Sequence, residues 1–107
     1  MLMDRYYDAV KVLLEKARTT QDAAIREAAE IIATAVEAGK KVYLSKICHM
    51  IEFDLIYRGG GPIFYKEYKP EEVELKEGDV LVVSSVSGRT KSVVDLTFDS
   101  VAKGIFV

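Results

Sequence analysis

A chain of 107 residues is the size of one small domain, and half of its residues are hydrophobic. The formal net charge of −2 excludes a global positive field that would hold nucleic acid or an anionic membrane. No apolar run approaches the roughly 18 residues that span a bilayer, and the N-terminus lacks the pattern of a signal peptide. The single cysteine, Cys48, cannot form an internal disulfide and fits a reducing compartment. We therefore expect a single cytoplasmic domain, residues 1–107, without nucleic-acid or membrane partners.

Two amphipathic helices are predicted at the N-terminus. Apolar residues recur at helical spacing from residue 2 to 17 and again from residue 25 to 36. Between these stretches, Thr19, Thr20 and Asp22 are residue types that cap the N-terminus of a helix, which indicates a break. The pattern therefore predicts two leading helices within about residues 2–38.

Short apolar runs alternate with helical patterns in the remainder of the chain. Strands are predicted at residues 42–44, 63–65, 80–83 and 105–107, and helices at residues 49–58 and from about Thr90 to Gly104. Residues 66–79 are charged and contain Pro70 and Gly78, which predicts a surface loop. The alternation indicates an α/β core over about residues 41–107 with a mostly parallel sheet covered on both faces.

The segment after the strand at residues 80–83 has the composition of an oxyanion site. Ser85, Ser87 and Thr90 supply hydroxyl groups, and Gly88 lets the backbone turn close to a ligand. The following helix adds free N–H groups and the positive end of its dipole, and Arg89 can add a charge-assisted bond. The alternative is that these residues serve only as turn and cap residues.

Two motifs resemble the sugar-isomerase (SIS) domain family. The run Ser-Val-Ser-Gly-Arg-Thr from Ser85 to Thr90, after a strand introduced by Gly78 and Asp79, is similar to the second phosphosugar-binding loop of that family. A second motif is similar to one SIS subgroup, and its residues are His49, Met50, Glu52, Tyr57, Arg58, Gly60 and Gly61.

The resemblance implies a flavodoxin-like, SIS-type sheet flanked by helices, a phosphorylated sugar or derivative as ligand, and dimerisation. It implies that Ser85, Ser87 and Thr90 hold the phosphate while Gly88 enables the turn, and it places His49 and Glu52 near the ligand. Ser45, directly after the first strand, is a further candidate ligand residue. The chain ends at about the fourth strand of the family, so we expect a truncated domain whose open edge favours a homodimer or higher oligomer.

Three functions remain open from the sequence. The first is a phosphosugar-binding domain with little or no catalysis. The second is an aldose–ketose phosphosugar isomerase whose site is completed across subunits, with His49 and Glu52 as catalytic residues. The third is a structural remnant that assembles without binding sugar. Bulky Leu44 and Ile47 stand where the family has glycines and would crowd a sugar, which counts against a working enzyme and also allows the third function. No cofactor or metal is expected, because one histidine and one cysteine are too few for a structural zinc site.

Overall fold

A computed structural model describes residues 1–45, 55–57 and 59–107 of the chain. The described elements are α1 (Leu2–Glu37), β1 (Val42–Ser45), β2 (Tyr65–Tyr68), β3 (Val80–Val82) and α2 (Lys91–Ala102). The three strands form one parallel sheet, which confirms the predicted α/β fold class and is consistent with a flavodoxin-like fold. The predicted helix at residues 49–58 lies mostly outside the described residues. None of the helices in the described ranges is long and apolar enough to cross a membrane.

One continuous helix replaces the two leading helices that the sequence predicted. α1 runs through Thr19, Thr20 and Asp22 without interruption. Each threonine hydroxyl donates a hydrogen bond to the carbonyl oxygen four residues earlier, at 2.9 Å for Thr19 and 2.7 Å for Thr20. Asp22 accepts a hydrogen bond from Arg26 one turn later, at 2.8 Å. The predicted break was wrong because side chains that cap a helix can also bond back to it from inside.

The chain divides into two compact units, residues 1–30 and residues 31–107. The first unit is the N-terminal part of α1, where the large apolar side chains are exposed. The second unit holds the last turns of α1, the sheet and α2. Whether the whole chain acts as one domain stays a prediction.

The sheet has the strand order β2-β1-β3, so β1 is central. Val42 at the start of β1 lies opposite Tyr65 of β2 and Val80 of β3. Phe106 adds one parallel bridge to Val80, so the strand predicted at residues 105–107 is present as a single bridge beyond β3. β2 begins two residues later than predicted and extends into the predicted surface loop. Its charged central residues fit because β2 is the edge strand of the described sheet.

Both faces of the sheet are covered, which is why β1 and β3 are continuous apolar runs. On one face, Val42 and Val80 pack with Ala35 and two isoleucines of α1. On the other face, Tyr43 and Leu81 pack with partners that include Leu96 of α2. Since successive strand residues point to opposite faces, Ser45 lies on the same face as Tyr43, the one that α2 covers.

Candidate functional site

The parallel strands bring their carboxyl ends to one edge of the sheet. β1 ends at Ser45, and Leu44 lies opposite Val82 at the end of β3. Residues 84–90, which lie between β3 and α2, are called the hydroxyl loop here. In open parallel sheets, ligands bind at this edge, where loops lead from strands into helices. The fold therefore places the loop and Ser45 at the edge where a ligand site is expected.

Hydrogen bonds inside the hydroxyl loop close it into a tight turn. Ser85 Oγ accepts a hydrogen bond from the N–H of Gly88 at 3.0 Å and lies 3.0 Å from Thr90 Oγ1. Ser87 Oγ accepts a hydrogen bond from the N–H of Arg89 at 3.2 Å. Gly88 has a φ of 67°, in the left-handed region that favours glycine, and the space where a Cβ would lie is open. The loop residues singled out from the sequence are thus gathered in one turn.

The hydroxyl loop leads directly into the N-terminus of α2. Thr90 is the N-cap residue, with an extended backbone, and its side chain makes no capping hydrogen bond to the helix. Its hydroxyl lies against Ser85 instead. The first N–H groups of a helix have no partner within the helix, and they carry the positive end of its dipole. Hydroxyl groups and helix N–H groups are therefore collected at one point.

Two basic residues flank the start of α2. Lys91 forms an ion pair with Asp95 one turn later, and the hydrogen bond to this carboxylate raises the pKa of the Lys91 amino group. Arg89 is exposed, and it has no ion pair within the described part of the chain. Arg89 is therefore the cationic side chain whose charge a ligand at the loop can use.

Ser45 is buried at the carboxyl end of the central strand, with 2% of its surface exposed. Its hydroxyl group makes no hydrogen bond to any of the described residues. A buried hydroxyl group without a partner costs about 1–3 kcal/mol. A bound ligand or water molecule would supply the hydrogen-bond partner that the Ser45 hydroxyl group lacks. The sequence prediction that named Ser45 thus coincides with a buried polar group beside the loop.

The opposite, amino edge of the sheet carries a cleft of about 540 Å³. Buried Asp79 holds this edge together, since its carboxylate accepts hydrogen bonds from the backbone N–H groups of Lys41 and Lys76, both at 2.9 Å. Burial, together with the negative charge of Asp79, raises the pKa of the Tyr43 hydroxyl group. Lys40 Nζ donates a hydrogen bond to a backbone carbonyl at 3.1 Å. The buried Asp79 carboxylate and the Lys40 amino group at this edge are therefore engaged with the protein itself.

The candidate acid–base residues His49 and Glu52, like Cys48, lie outside the described residues, so their roles stay predictions. The sequence analysis missed one pair of polar side chains, Tyr57 and Glu67, which are joined by a hydrogen bond. Glu67 lies on β2 opposite Leu44. The charged residues around Glu67 predict a loop there. The tyrosines at both ends of β2 were the available strand signal.

The family follows from a comparison with known domains. Residues 5–64, more than half of the chain, match the family model of the SIS domain. The chain belongs to the SIS-domain family. Membership implies, in general terms, phosphosugar-related binding or isomerase-type function. The matched region ends before the hydroxyl loop, so the role of the loop stays a prediction.

The SIS-domain chain is also similar to curated bacterial proteins. It is 28% identical to UPF0309 proteins of Shouchella clausii and Oceanobacillus iheyensis, in each case over 98% of this chain and 54% of the relative. It is 30% identical to a UPF0309 protein of Caldanaerobacter subterraneus, over 92% of this chain and 40% of that relative. The chain thus spans about half the length of the first two relatives. No solved structure matches it significantly.

Proposed function

We propose that this SIS domain binds a phosphorylated sugar and that the hydroxyl loop holds the phosphate group. One observation carries the proposal: the hydroxyl groups of Ser85 and Thr90 lie 3.0 Å apart, in one turn with Ser87, at the N-terminus of α2. Family membership supplies the ligand class, and the carboxyl edge of the sheet supplies the location.

The hydrogen-bond pattern of the loop determines which donors a phosphate group would meet. The N–H groups of Gly88 and Arg89 already donate to serine hydroxyls. A hydroxyl group has one donor and two acceptor sites, so Ser87 Oγ, which accepts the Arg89 N–H, still has its own O–H to donate. In the Ser85–Thr90 pair, one of the two O–H groups is already used in the hydrogen bond between them. The phosphate is therefore held mainly by side-chain O–H groups and by the first N–H groups of α2.

Charge supports an anionic ligand of limited size. The chain is acidic overall, so an anion is held by local groups rather than by a basic surface. The α2 dipole and Arg89 provide these groups at the loop. We expect Ser45, which is buried on the face that α2 covers, to exchange a hydrogen bond with the sugar phosphate. The proposal also places the protein in the cytoplasm as one domain that forms a homo-oligomer, and needs no metal or cofactor.

The isomerase function has less support in the described residues. Its acid and base would be His49 and Glu52, which lie outside them. We therefore argue for binding rather than catalysis.

A thermal-shift titration with a panel of sugar phosphates tests the proposal. A ligand that binds only the folded protein stabilises it by about 2.7 kcal/mol at 100 times its Kd. We expect a higher Tm with one or a few sugar phosphates and none with the same sugars without phosphate. Ser87→Ala is expected to remove the shift. Thr20→Ala, which removes an exposed hydroxyl group of α1, is the matched control and is expected to keep it.

The opposite result is equally clear. If no sugar phosphate raises the Tm at millimolar concentration, the binding function is wrong and a structural role becomes the better account. If Ser87→Ala and Thr20→Ala both keep the shift, a sugar phosphate binds elsewhere, and the assignment to the hydroxyl loop is wrong.

A further inference from the structure

The cleft at the amino edge of the sheet is large enough to hold a small molecule. Its volume of about 540 Å³ lies within the range of about 300–1,000 Å³ that is usual for small-ligand sites. Its lining residues come from two segments, residues 39–43 and residues 72–79, which belong to the same compact unit. We call it the amino-edge cleft. It lies at the other end of the strands from the hydroxyl loop, so what it binds does not depend on the function proposed for that loop.

One buried hydroxyl group at the amino-edge cleft has no partner in the protein. Tyr43 lines the cleft with 9% of its surface exposed, and its hydroxyl group makes no hydrogen bond to the described residues. The hydroxyl group of a buried tyrosine usually finds a hydrogen-bond partner. The Tyr43 ring packs against Leu81 and Ile105, and its edge-on contact with Tyr68 has a distance of 6.2 Å between ring centres. The position of the ring is therefore fixed by the core, and a ligand is one source of the missing partner.

The Tyr43 hydroxyl group is a donor that lies toward the cleft. Burial and, to a lesser extent, the charge of Asp79 raise its pKa, so it keeps its proton. Because the effect of a charge weakens with distance, the hydroxyl group lies on the side of Asp79, which also lines the cleft. This O–H group can donate a hydrogen bond to an anionic atom of a ligand.

The cleft is lined by three basic and three acidic side chains, and the protein itself uses half of them. Lys40 donates a hydrogen bond to a backbone carbonyl, and Glu72 is paired with Lys69. Asp79 accepts its two backbone hydrogen bonds. These three charged groups are therefore already engaged.

The other three charged side chains are exposed, and they are Lys41, Glu74 and Lys76. None of them forms an ion pair within the part of the chain that the structure describes. They leave two positive groups and one negative group for a ligand. The complementary ligand therefore carries two negative groups and one positive group.

We propose that the amino-edge cleft binds a free amino acid with an acidic side chain, such as glutamate. The Tyr43 hydroxyl group donates to one carboxylate, and Lys41 and Lys76 attract both carboxylates. Glu74 attracts the ammonium group. A simple anion would meet the acidic side chains of the lining as well as the lysines, so the cleft favours a ligand that also carries a positive charge. Because the rim charges are exposed, they select the ligand more than they strengthen its binding.

An NMR titration with glutamate tests the proposal, and glutarate is the comparison ligand. Glutarate has the same two carboxylates but no ammonium group. We expect glutamate to produce saturable shifts in the amide signals of residues 39–43 and 72–79 and none in those of residues 85–92. The Kd for glutarate is expected to be about threefold higher, because the contact with Glu74 is missing.

Tyr43→Phe removes only the buried hydroxyl group. It is expected to raise the Kd for glutamate about tenfold or more, because a hydrogen bond to a charged group is lost. Tyr65→Phe is the matched control, since Tyr65 lies on β2 and does not line the cleft, and its Kd is expected to stay unchanged. Glu74→Gln changes an exposed side chain and does not depend on how well Tyr43→Phe folds. It is expected to raise the Kd for glutamate to that for glutarate.

Four results would overturn the proposal. The first is the absence of saturable shifts with millimolar glutamate, and the second is an unchanged Kd in Tyr43→Phe. The third is equal affinity for glutarate and glutamate, because the cleft would then bind anions without regard to the ammonium group. The fourth is movement confined to residues 85–92, which would leave the function proposed for the hydroxyl loop standing.

Discussion

The two edges of the sheet use polar residues in opposite ways. At the amino edge, the Asp79 carboxylate is buried and accepts two backbone hydrogen bonds. At the carboxyl edge, Ser45 is buried without a hydrogen bond to the described residues, and Ser87 in the hydroxyl loop has its O–H group left to donate. The buried Asp79 carboxylate of the first edge is satisfied by the protein, whereas the buried Ser45 hydroxyl group of the second is not.

Whether a buried polar group has a hydrogen-bond partner in the protein is therefore a better guide to its role than its residue type. The cleft at the amino edge has three lysines, but Glu72, Glu74 and Asp79 line it as well, so its charges are balanced. Three lysines therefore do not by themselves mark an anion site. We expect the α2 dipole, Arg89 and the Ser87 O–H group to favour the hydroxyl loop.

The largest expected effect is on stability at the amino edge. Asp79→Ala leaves two backbone N–H groups without their charged acceptor, and we expect unfolding to become easier by about 3 kcal/mol. Urea denaturation measures this change. Asp99→Ala removes an exposed carboxylate of α2 and is expected to change stability by no more than about 0.5 kcal/mol. If both substitutions have equally small effects, Asp79 does not stabilise the amino edge and the contrast between the two edges is wrong.

Two glycines, one at each edge, give the next largest effect. Gly78 has a φ of 88°, and a Cβ there would lie 3.0 Å from Cε of Lys40. Gly88 has a φ of 67° and open space around it. We expect Gly78→Ala and Gly88→Ala each to cost about 1 kcal/mol from the left-handed backbone, because the far end of the flexible Lys40 side chain can move away from a Cβ at residue 78 at little cost. Gly60→Ala, with open space and no left-handed backbone, serves as the control in the same urea titrations.

The smallest effect on stability is expected at Ser45. Because the Ser45 hydroxyl group is buried without a bond to the described residues, Ser45→Ala is expected to leave the free energy of unfolding unchanged or to raise it by up to about 1 kcal/mol. The affinity for a sugar phosphate, measured by isothermal titration calorimetry, is expected to fall about tenfold. Ser100→Ala is the control, because Ser100 is equally buried but lies near the end of α2. A large loss of stability in Ser45→Ala alone would mean that Ser45 is a structural residue.

Much of the sheet could be predicted from the sequence because its physical signals are strong. The central strands β1 and β3 are apolar runs, and they were predicted to within one residue of their ends. α2 begins after Thr90 as predicted, and Gly104, with a φ of 74°, follows its end. The predicted position of β2 was wrong because its charged central residues are typical of a loop. A strand tolerates these residues here because β2 lies at the edge of the described sheet.

Only part of the candidate site could be predicted from the sequence. The clustering of Ser85, Ser87 and Thr90 followed from their spacing after a strand. Which hydroxyl groups accept N–H bonds, and which donors remain, depends on the turn geometry. The role of Asp79 was also missed, because one of its two partners, Lys41, is 38 positions away in the chain. A sequence pattern records neighbours along the chain and carries no sign of such a long-range bond.

The most direct test of the central claim is an NMR titration that follows backbone amide shifts as a sugar phosphate is added, with inorganic phosphate as a second probe. The account predicts that the amide signals of residues 85–92 move, while those of residues 39–41 and 76–79 at the lysine-bearing amino edge stay in place. Movement at the amino edge with an unchanged hydroxyl loop would contradict it, because the anion would then follow the lysines rather than the hydroxyl groups and the helix N-terminus.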